Sequence, residues 1–520
     1  MGEARRKALA ARSGAGDESV QPQVVDTLGG RMHVRWDEGA VATPHGQLVF
    51  FAEFLATTGV FDRWVSECPL AYRSGNAPDK RDVLGTLMLG LLAGHRRYAH
   101  ITALRGDAVA AHALGMNKVV SEDALRRAME RIDEAASAAW LRPSLIHAVR
   151  EALDRPWVLD IDASVKPLYG RQEGAEIGYN PTKPKRPSHV LHTFLVANLR
   201  LVLDVQVSSG KQHSSAHAKA ALARLLDELG DERLGNRRPA LVRGDSGYGN
   251  EGILLTLEER RQPYLLRLRQ TKNVQRLVAQ QFARDDWSRP DNQGCQMVEA
   301  LLQLHGWSAK RRVVIVRQRL RGGIARERRV DGKQLKLDLA GASVHESDRL
   351  WEYTVLVTDV VYPLEAIGQL YRDRADAENA FDELKNQWGL GGFTTQDINR
   401  CQTVARTCAL VYNWWSWYCR AAHPQGRLEA ITSRPLLLAA VGKAASHAHQ
   451  TTLYLTPLHG RADILKRLIA NIGEALQHVK AAAEQFKNID RWGCLLRYVS
   501  ERIAPVIGPP KPPAALPATG

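Results

Sequence analysis

The sequence predicts an α/β protein: a mixed-sheet domain interrupted by a β-rich insertion and flanked on both sides by helical regions. Three observations carry this expectation. Between residues 151 and 269, aliphatic and β-branched runs bounded by Pro and Gly alternate with segments of helical spacing, the pattern of a sheet covered by helices. From 270 to 363 the helical signal lapses and strand-like runs take over. On either side, over 31–150 and 364–505, apolar residues recur at helical intervals. A chain of 520 residues with 44% hydrophobic content can fill cores of this extent.

Each element follows from its local chemistry. Residues 1–30 are small and polar and read as a mobile tail. "GQLVFFAEFLATTGVFDRWV", "KRDVLGTLMLGLLAGH" and "SEDALRRAMERIDEAASAAWLRPSLIHAVREAL" then read as helices. Ser121 is placed to cap the third, with Glu122 and Asp123 in its first turn. Arg126, Arg127 and Arg131 on that helix make residues 31–150 a candidate DNA-binding helical domain. "PWVLDIDASVKPLYG" and "SHVLHTFLVANLRLVLDVQVSSG" carry strands, "SSAHAKAALARLLDELG" a helix, and "RPALVRGDSGYGN" a short strand ending in a turn. A helix at "EGILLTLEERR" and a strand at "PYLLRLR" close the first part of the domain at 269. In the insertion, "KRRVVIVRQRLRGG" and "RLWEYTVLVTDV" read as strands. Helices resume at 364, the sheet domain ends near 425, helices continue over 426–505, and residues 506–520 are a proline-rich tail.

Charge narrows the function. Lys and Arg number 71 against 56 acidic residues, a net +15 that favours a polyanionic partner, nucleic acid first among them. The six cysteines form no C-x-x-C pair, so neither a disulfide framework nor a zinc knuckle is indicated. No apolar run approaches the roughly 18 residues of a membrane span, and the N-terminus has no export-type core. A cytoplasmic, nucleoid-associated protein without a membrane partner is expected.

The chemistry rests on a few acids and cations. Tyr371, Arg374, Glu378 and Lys385 fall within roughly 60° of one another on an uninterrupted helix. That stripe surrounds one carboxylate with two cations and a phenol, which suits gripping phosphate beside a hard metal ion. A solvated helix with an Arg374–Glu378 ion pair is the plainer reading of the same spacing. Asp162 ends the strand in "VLDIDAS", with Asp160 on the same face, and Asp245 sits in the glycine-flanked turn "RGDSGYG". Carboxylates at strand ends facing one on a helix can hold two Mg²⁺ ions, with Mn²⁺ able to substitute.

The combination resembles the DDE transposases of bacterial insertion sequences, in the branch marked by a Y-x2-R-x3-E-x6-K signature. Tyr371, Arg374, Glu378 and Lys385 match it without a gap, and "DAS" and "RGDSGYG" resemble the two aspartate motifs. The resemblance implies an RNase H-like core and a β-rich insertion before Glu378. It also implies Mg²⁺-dependent cleavage at terminal inverted repeats and strand transfer into target double-stranded DNA, by a homodimer in the synaptic complex. On the same ground Asp162, Asp245 and Glu378 would be the catalytic metal ligands, Asp160 a rival or support for the first, and Tyr371, Arg374 and Lys385 DNA contacts.

Further DNA contacts are expected from the residues themselves. Lys183, Lys185 and Arg186 lie on a proline-stiffened loop, and Arg317, Arg319 and Arg321 line one face of a strand. Trp307 could stack on an extruded base, although a core tryptophan is the favoured reading. Trp414, Trp415 and Trp417 read as core. Two other readings stay open: a transposase-derived repressor that no longer cuts, and an RNase H-like nuclease without strand transfer. A glycosidase with paired carboxylates is disfavoured by the cations around Glu378.

Overall fold

A computed structural model describes residues 23–319 and 351–507, apart from 38, 181–182, 212–213, 233–234, 283, 285, 449 and 457–460. Of the expected N-terminal tail, residues 1–22 lie outside the described residues, as do 508–520 of the C-terminal one. Residues 23–30 depart from the expectation. Gln23–Thr27 (β1) and Gly30–Val34 (β2) pair as an antiparallel hairpin, because Val24, Val25, Met32 and Val34 flank a Leu28-Gly29 turn.

The chain next adds a short strand, Ala42–Thr43 (β3), and helices from Leu48 to His147. The main sheet has eight strands: β4 (Val158–Pro167), β5 (Ser188–Val196), β6 (Leu201–Ser209), β7 (Leu241–Gly244), β8 (Tyr264–Arg267), β9 (Cys295–Leu302), β10 (Arg311–Arg319) and β11 (Trp351–Thr358). Their spatial order is β6-β5-β4-β7-β8-β11-β10-β9. β4, β5 and β6 run antiparallel, while β7 and β8 are parallel to β4. Strand β5 is buried along its whole length, which its "SHVLHTFLV" sequence allows.

The insertion strands do not form a separate sheet. β11 pairs with β8 from Leu356↔Arg267 to Thr358↔Leu265, and β10 and β9 extend the same layer. The edge of β8 is apolar and buried at Leu265 and Leu266, so it needs a strand neighbour, and Val355, Leu356 and Val357 supply one of matching character.

At the opposite edge, the helix Ile398–Ala422 takes the place of a further strand. Asn413 accepts from the Val202 N–H at 2.9 Å and donates to its carbonyl at 2.7 Å; Gln402 accepts from Val207 and donates to Val205, both at 2.7 Å. Two side-chain amides thus satisfy backbone groups that an edge strand would otherwise leave open. Asp397 caps this helix through the N–H groups of Asn399 and Arg400.

The same helix carries the N-terminal helices. Trp64 stacks on Trp140 at 5.4 Å and meets Trp414 edge-on at 5.6 Å, and Phe51 meets Trp415 and Tyr418. Trp414, Trp415 and Trp417 are all buried, and one continuous core joins the N-terminal helices, the sheet and the C-terminal helices. A small three-stranded sheet, β3 with Gly442–His447 (β12) and Gln450–Leu455 (β13), ties residue 43 to residue 442. All six cysteines are free and buried. Among the described residues no helix is long and apolar enough to cross a membrane.

Candidate active site

Strand register builds the centre of the site. β4 and β7 align Asp160 with Arg243 and Ile161 with Gly244, so the next residues along each strand, Asp162 and Asp245, end up side by side. The short sequences Asp160-Ile-Asp162 and Arg243-Gly-Asp245 are therefore matched position for position: an ion pair inside the sheet and, one step on, two carboxylates where β7 ends, with Asp162 midway along β4 and not at its end as expected.

The inner pair is closed. Asp160 is fully buried, and both of its oxygens accept from the Arg243 guanidinium, Nε and Nη2 each at 2.7 Å. Arg243 Nη1 also donates to the Leu370 carbonyl. This corrects the expectation of Asp160 as a metal ligand: its lone pairs are spent on an arginine, and its task is to lock β4, β7 and the helix Leu364–Arg372 together. Burial raises the Asp160 carboxyl above its ordinary range, against the opposing pull of Arg243.

The outer pair is open to chemistry. Burial pushes the Asp245 carboxyl up, the Gly247 N–H draws it down, and the nearby charge of Asp162 raises it again. An acid whose ionisation its neighbour's charge disfavours makes a site that a bound cation would stabilise.

Around Asp162 the signature residues converge. Arg374 Nη2 donates to Asp162 Oδ1 and Arg374 Nη1 to Glu378 Oε1, both at 2.9 Å, and Lys385 Nζ stands 3.9 Å from Asp162 Oδ2. The Arg374–Glu378 contact is the i,i+4 pair anticipated for a solvated helix, yet Arg374 is buried and bridges to a strand 212 residues earlier. Burial lowers the pKa of its guanidinium, but the charges of Asp162, Tyr371, Asp160 and Asp245 raise it further, so it stays cationic. Tyr371 is half-buried, and its phenol is raised by that burial and lies within the electrostatic reach of Arg374, Arg267, Asp245 and Glu378.

The stripe is not one unbroken helix. It divides into Leu364–Arg372 and Ala375–Asn386, with a tightened turn between them in which the Arg374 N–H bonds to the Tyr371 carbonyl. Asp373 and Arg374 keep right-handed helical angles, so the two halves stay nearly in register and the four side chains still face one region.

Among the described residues no three His, Cys, Asp or Glu side chains are gathered as a ready ligand cluster. The reason is local: Arg374 stands between Asp162 and Glu378. The donor chemistry nevertheless fits a hard divalent cation. Asp162 and Asp245 supply adjacent oxygens, and the Glu378 side chain, 64% exposed, has Arg374 as its one partner among the described residues.

The other expected contacts are spread apart. Lys183 donates to the Tyr169 hydroxyl and lies over its ring at 5.0 Å, with Arg186 at 4.8 Å on the same exposed ring. Lys185 occupies a left-handed position at φ 63°. Arg317 is sandwiched between Trp287 at 3.8 Å and Trp351 at 4.5 Å and bonds to Gln296, while Arg319 lies over Trp351 at 5.1 Å. Arg321 lies outside the described residues. Trp307 is only 8% exposed and covered by Arg311, so it belongs to the core and has no face free for a base. Of the N-terminal arginines, Arg126 stacks on Tyr98 and Arg131 on Tyr72.

Arg243 escaped the reading of the sequence, although the matching spacing of Asp160-x-Asp162 and Arg243-x-Asp245 on two strands was the available signal. Tyr248, which bonds to His192 at 3.0 Å behind the carboxylates, gave none.

A search of solved structures returns a cryo-EM structure of the piggyBac transposase synaptic complex with hairpin DNA, at 11% identity and a TM-score of 0.34, covering 92% of this chain and 87% of that one. No curated protein matches. The family described as transposase DDE domain group 1 matches residues 28–477, and the chain belongs to it.

Proposed function

We propose that this transposase cuts and joins double-stranded DNA at the terminal inverted repeats of a bacterial insertion sequence, by metal-dependent hydrolysis followed by strand transfer. In this reading the strands β4 to β8 are an RNase H-like core, and the chain falls in the branch defined by Tyr371, Arg374, Glu378 and Lys385. One observation carries it: acids and cations from three separate stretches of sequence meet where β7 ends beside β4, with Arg374 bonded to Asp162 and Glu378 while Asp245 lies alongside.

Asp162, Asp245 and Glu378 would hold Mg²⁺ or Mn²⁺, a pair of ions that activates the attacking oxygen and stabilises the leaving one. The remaining work belongs to the chain's own side chains. Arg374 and Lys385 set positive charge beside Asp162, where a phosphodiester can accept bonds from both. Glu378 turns inward once Arg374 takes phosphate in its place. Tyr371 closes one wall and excludes water. Lys183 and Arg186, on their exposed tyrosine, extend the cationic surface for duplex DNA, and two copies assemble on paired ends.

The test is a nicking and joining assay on a fragment carrying the element's ends, with Mg²⁺ or EDTA. Asp162→Asn, Asp245→Asn and Glu378→Gln should each lose cleavage while retaining end binding. Wild-type cleavage in any of them removes that residue from the site. Binding without cutting by the unaltered protein would instead mark a repressor.

A further inference from the structure

A glycine turn directly after the signature helix seats two cations that have no acidic partner among the described residues. Gly389, at φ 64°, lies so close to Arg96 that a Cβ there would come within 2.9 Å of its Cγ. Gly391 stands in the same relation to Lys166, at 2.9 Å from its Cδ. Only glycine allows both side chains to lie against this turn, and the Phe393 N–H bonds to the Arg96 carbonyl at 2.7 Å, which fixes the approach.

The two cations come from different parts of the molecule. Lys166 is on β4, on the face that also carries Asp162 and Ser164. Arg96 belongs to the N-terminal helical region. Among the described residues neither has a carboxylate within ion-pair distance, and the one polar partner of the Lys166 amine is the Thr394 hydroxyl. Burial lowers that amine to about 8, a standing cost for an ammonium that the fold leaves uncompensated. By contrast, Arg311, Arg406 and Arg427 each hold one or more carboxylates.

We infer that Lys166 and Arg96, seated on the Gly389–Gly392 turn, form a phosphate-binding site for the DNA duplex leaving the catalytic carboxylates. Lys166 is four residues beyond Asp162, about 13 Å along a strand, which a duplex covers in about four base steps of ~3.4 Å. Lys385 at Asp162, Lys166 and Arg96 thus make a track from the strand end onto the N-terminal helices. Both residues are positioning residues: they hold backbone and touch no reacting atom. The inference rests on the proposed DNA-cutting function and extends it to residues outside the signature.

The experiment uses the full chain and a random-sequence duplex, measuring affinity over roughly 50–200 mM salt. K166M and R96M should each reduce the slope of log K against log salt by about 0.9, and the double variant by about twice that, while K166R restores the wild-type slope. K166M should unfold at the same urea concentration as wild type or a higher one, since it removes an unpaired charge. A merely structural lysine would leave the slope alone and destabilise when lost. An unchanged slope in either single variant overturns the inference. If the wild type cuts DNA while both variants bind normally, this inference alone falls; if the wild type shows no salt-dependent duplex binding, the functional reading falls with it.

Discussion

Replacing Arg243 by methionine isolates the element that aligns the whole site. Arg243 makes two bonds of 2.7 Å to Asp160 and a third to the Leu370 carbonyl, inside a sheet from which water is excluded. Hydrogen bonds to charged groups contribute about 1.5–3 kcal/mol each, and removing one partner of a buried pair costs about 3–5 kcal/mol because the other is left alone. The abandoned Asp160 carboxyl, already raised by burial, takes up a proton instead of staying charged, which caps the loss. We therefore expect R243M to lose about 3–5 kcal/mol in urea unfolding followed by tryptophan fluorescence. D160L/R243M should recover most of it, since matched apolar side chains in such a place are often neutral or better. The double-mutant cycle should return a coupling of at least about 1 kcal/mol. A loss below about 1 kcal/mol for R243M, or a double variant as weak as the two single losses added, would refute the claim that this pair anchors β4 to β7.

Other outcomes follow from the same reasoning. D204N should cost about 3–5 kcal/mol in the same urea assay, because Asp204 is the buried acceptor of Arg142, Arg224 and Arg406. W307A should cost about 3–5 kcal/mol as a core cavity yet leave the salt slope of duplex binding at its wild-type value. R374Q should abolish end cleavage and also lower the urea midpoint, since Arg374 is buried and is the cation that Asp162 and Glu378 share. For Lys166 the sign of the pH effect is fixed: its folded pKa, about 8, lies below the ordinary value of 10.5 that it regains on unfolding. The unfolded chain then binds more protons between those values, so wild-type stability should rise with pH from about 8 to about 10.5 relative to K166M, read from urea midpoints across that range.

The residues that meet around Asp162 were more legible in the sequence than the architecture around them. Asp162, Asp245, Arg374, Glu378 and Lys385 stood out by residue type and spacing, and the structure brings them together. The α/β alternation was legible because apolar period follows backbone geometry. What stayed hidden was non-local. That β11 pairs with β8 depends on which buried edge lacks a neighbour, a property of the assembled sheet. Whether the N-terminal helices stand apart depends on Trp64 finding Trp140 and Trp414, residues 76 and 350 positions away. The break at Asp373–Arg374 leaves no mark in composition, as both residues keep helical angles. Asp160 looked like a ligand because strand alternation put it on the face of Asp162; only the register with β7 revealed Arg243 opposite it.

The most direct measurement of the central claim is Mn²⁺ binding to the full chain, followed by electron paramagnetic resonance with and without an end-bearing duplex. Wild-type protein should take up the ion, more tightly with DNA present to draw Arg374 away from Asp162 and Glu378, and D162N and D245N should each lose that binding. Undiminished Mn²⁺ uptake by D162N and D245N would contradict the account.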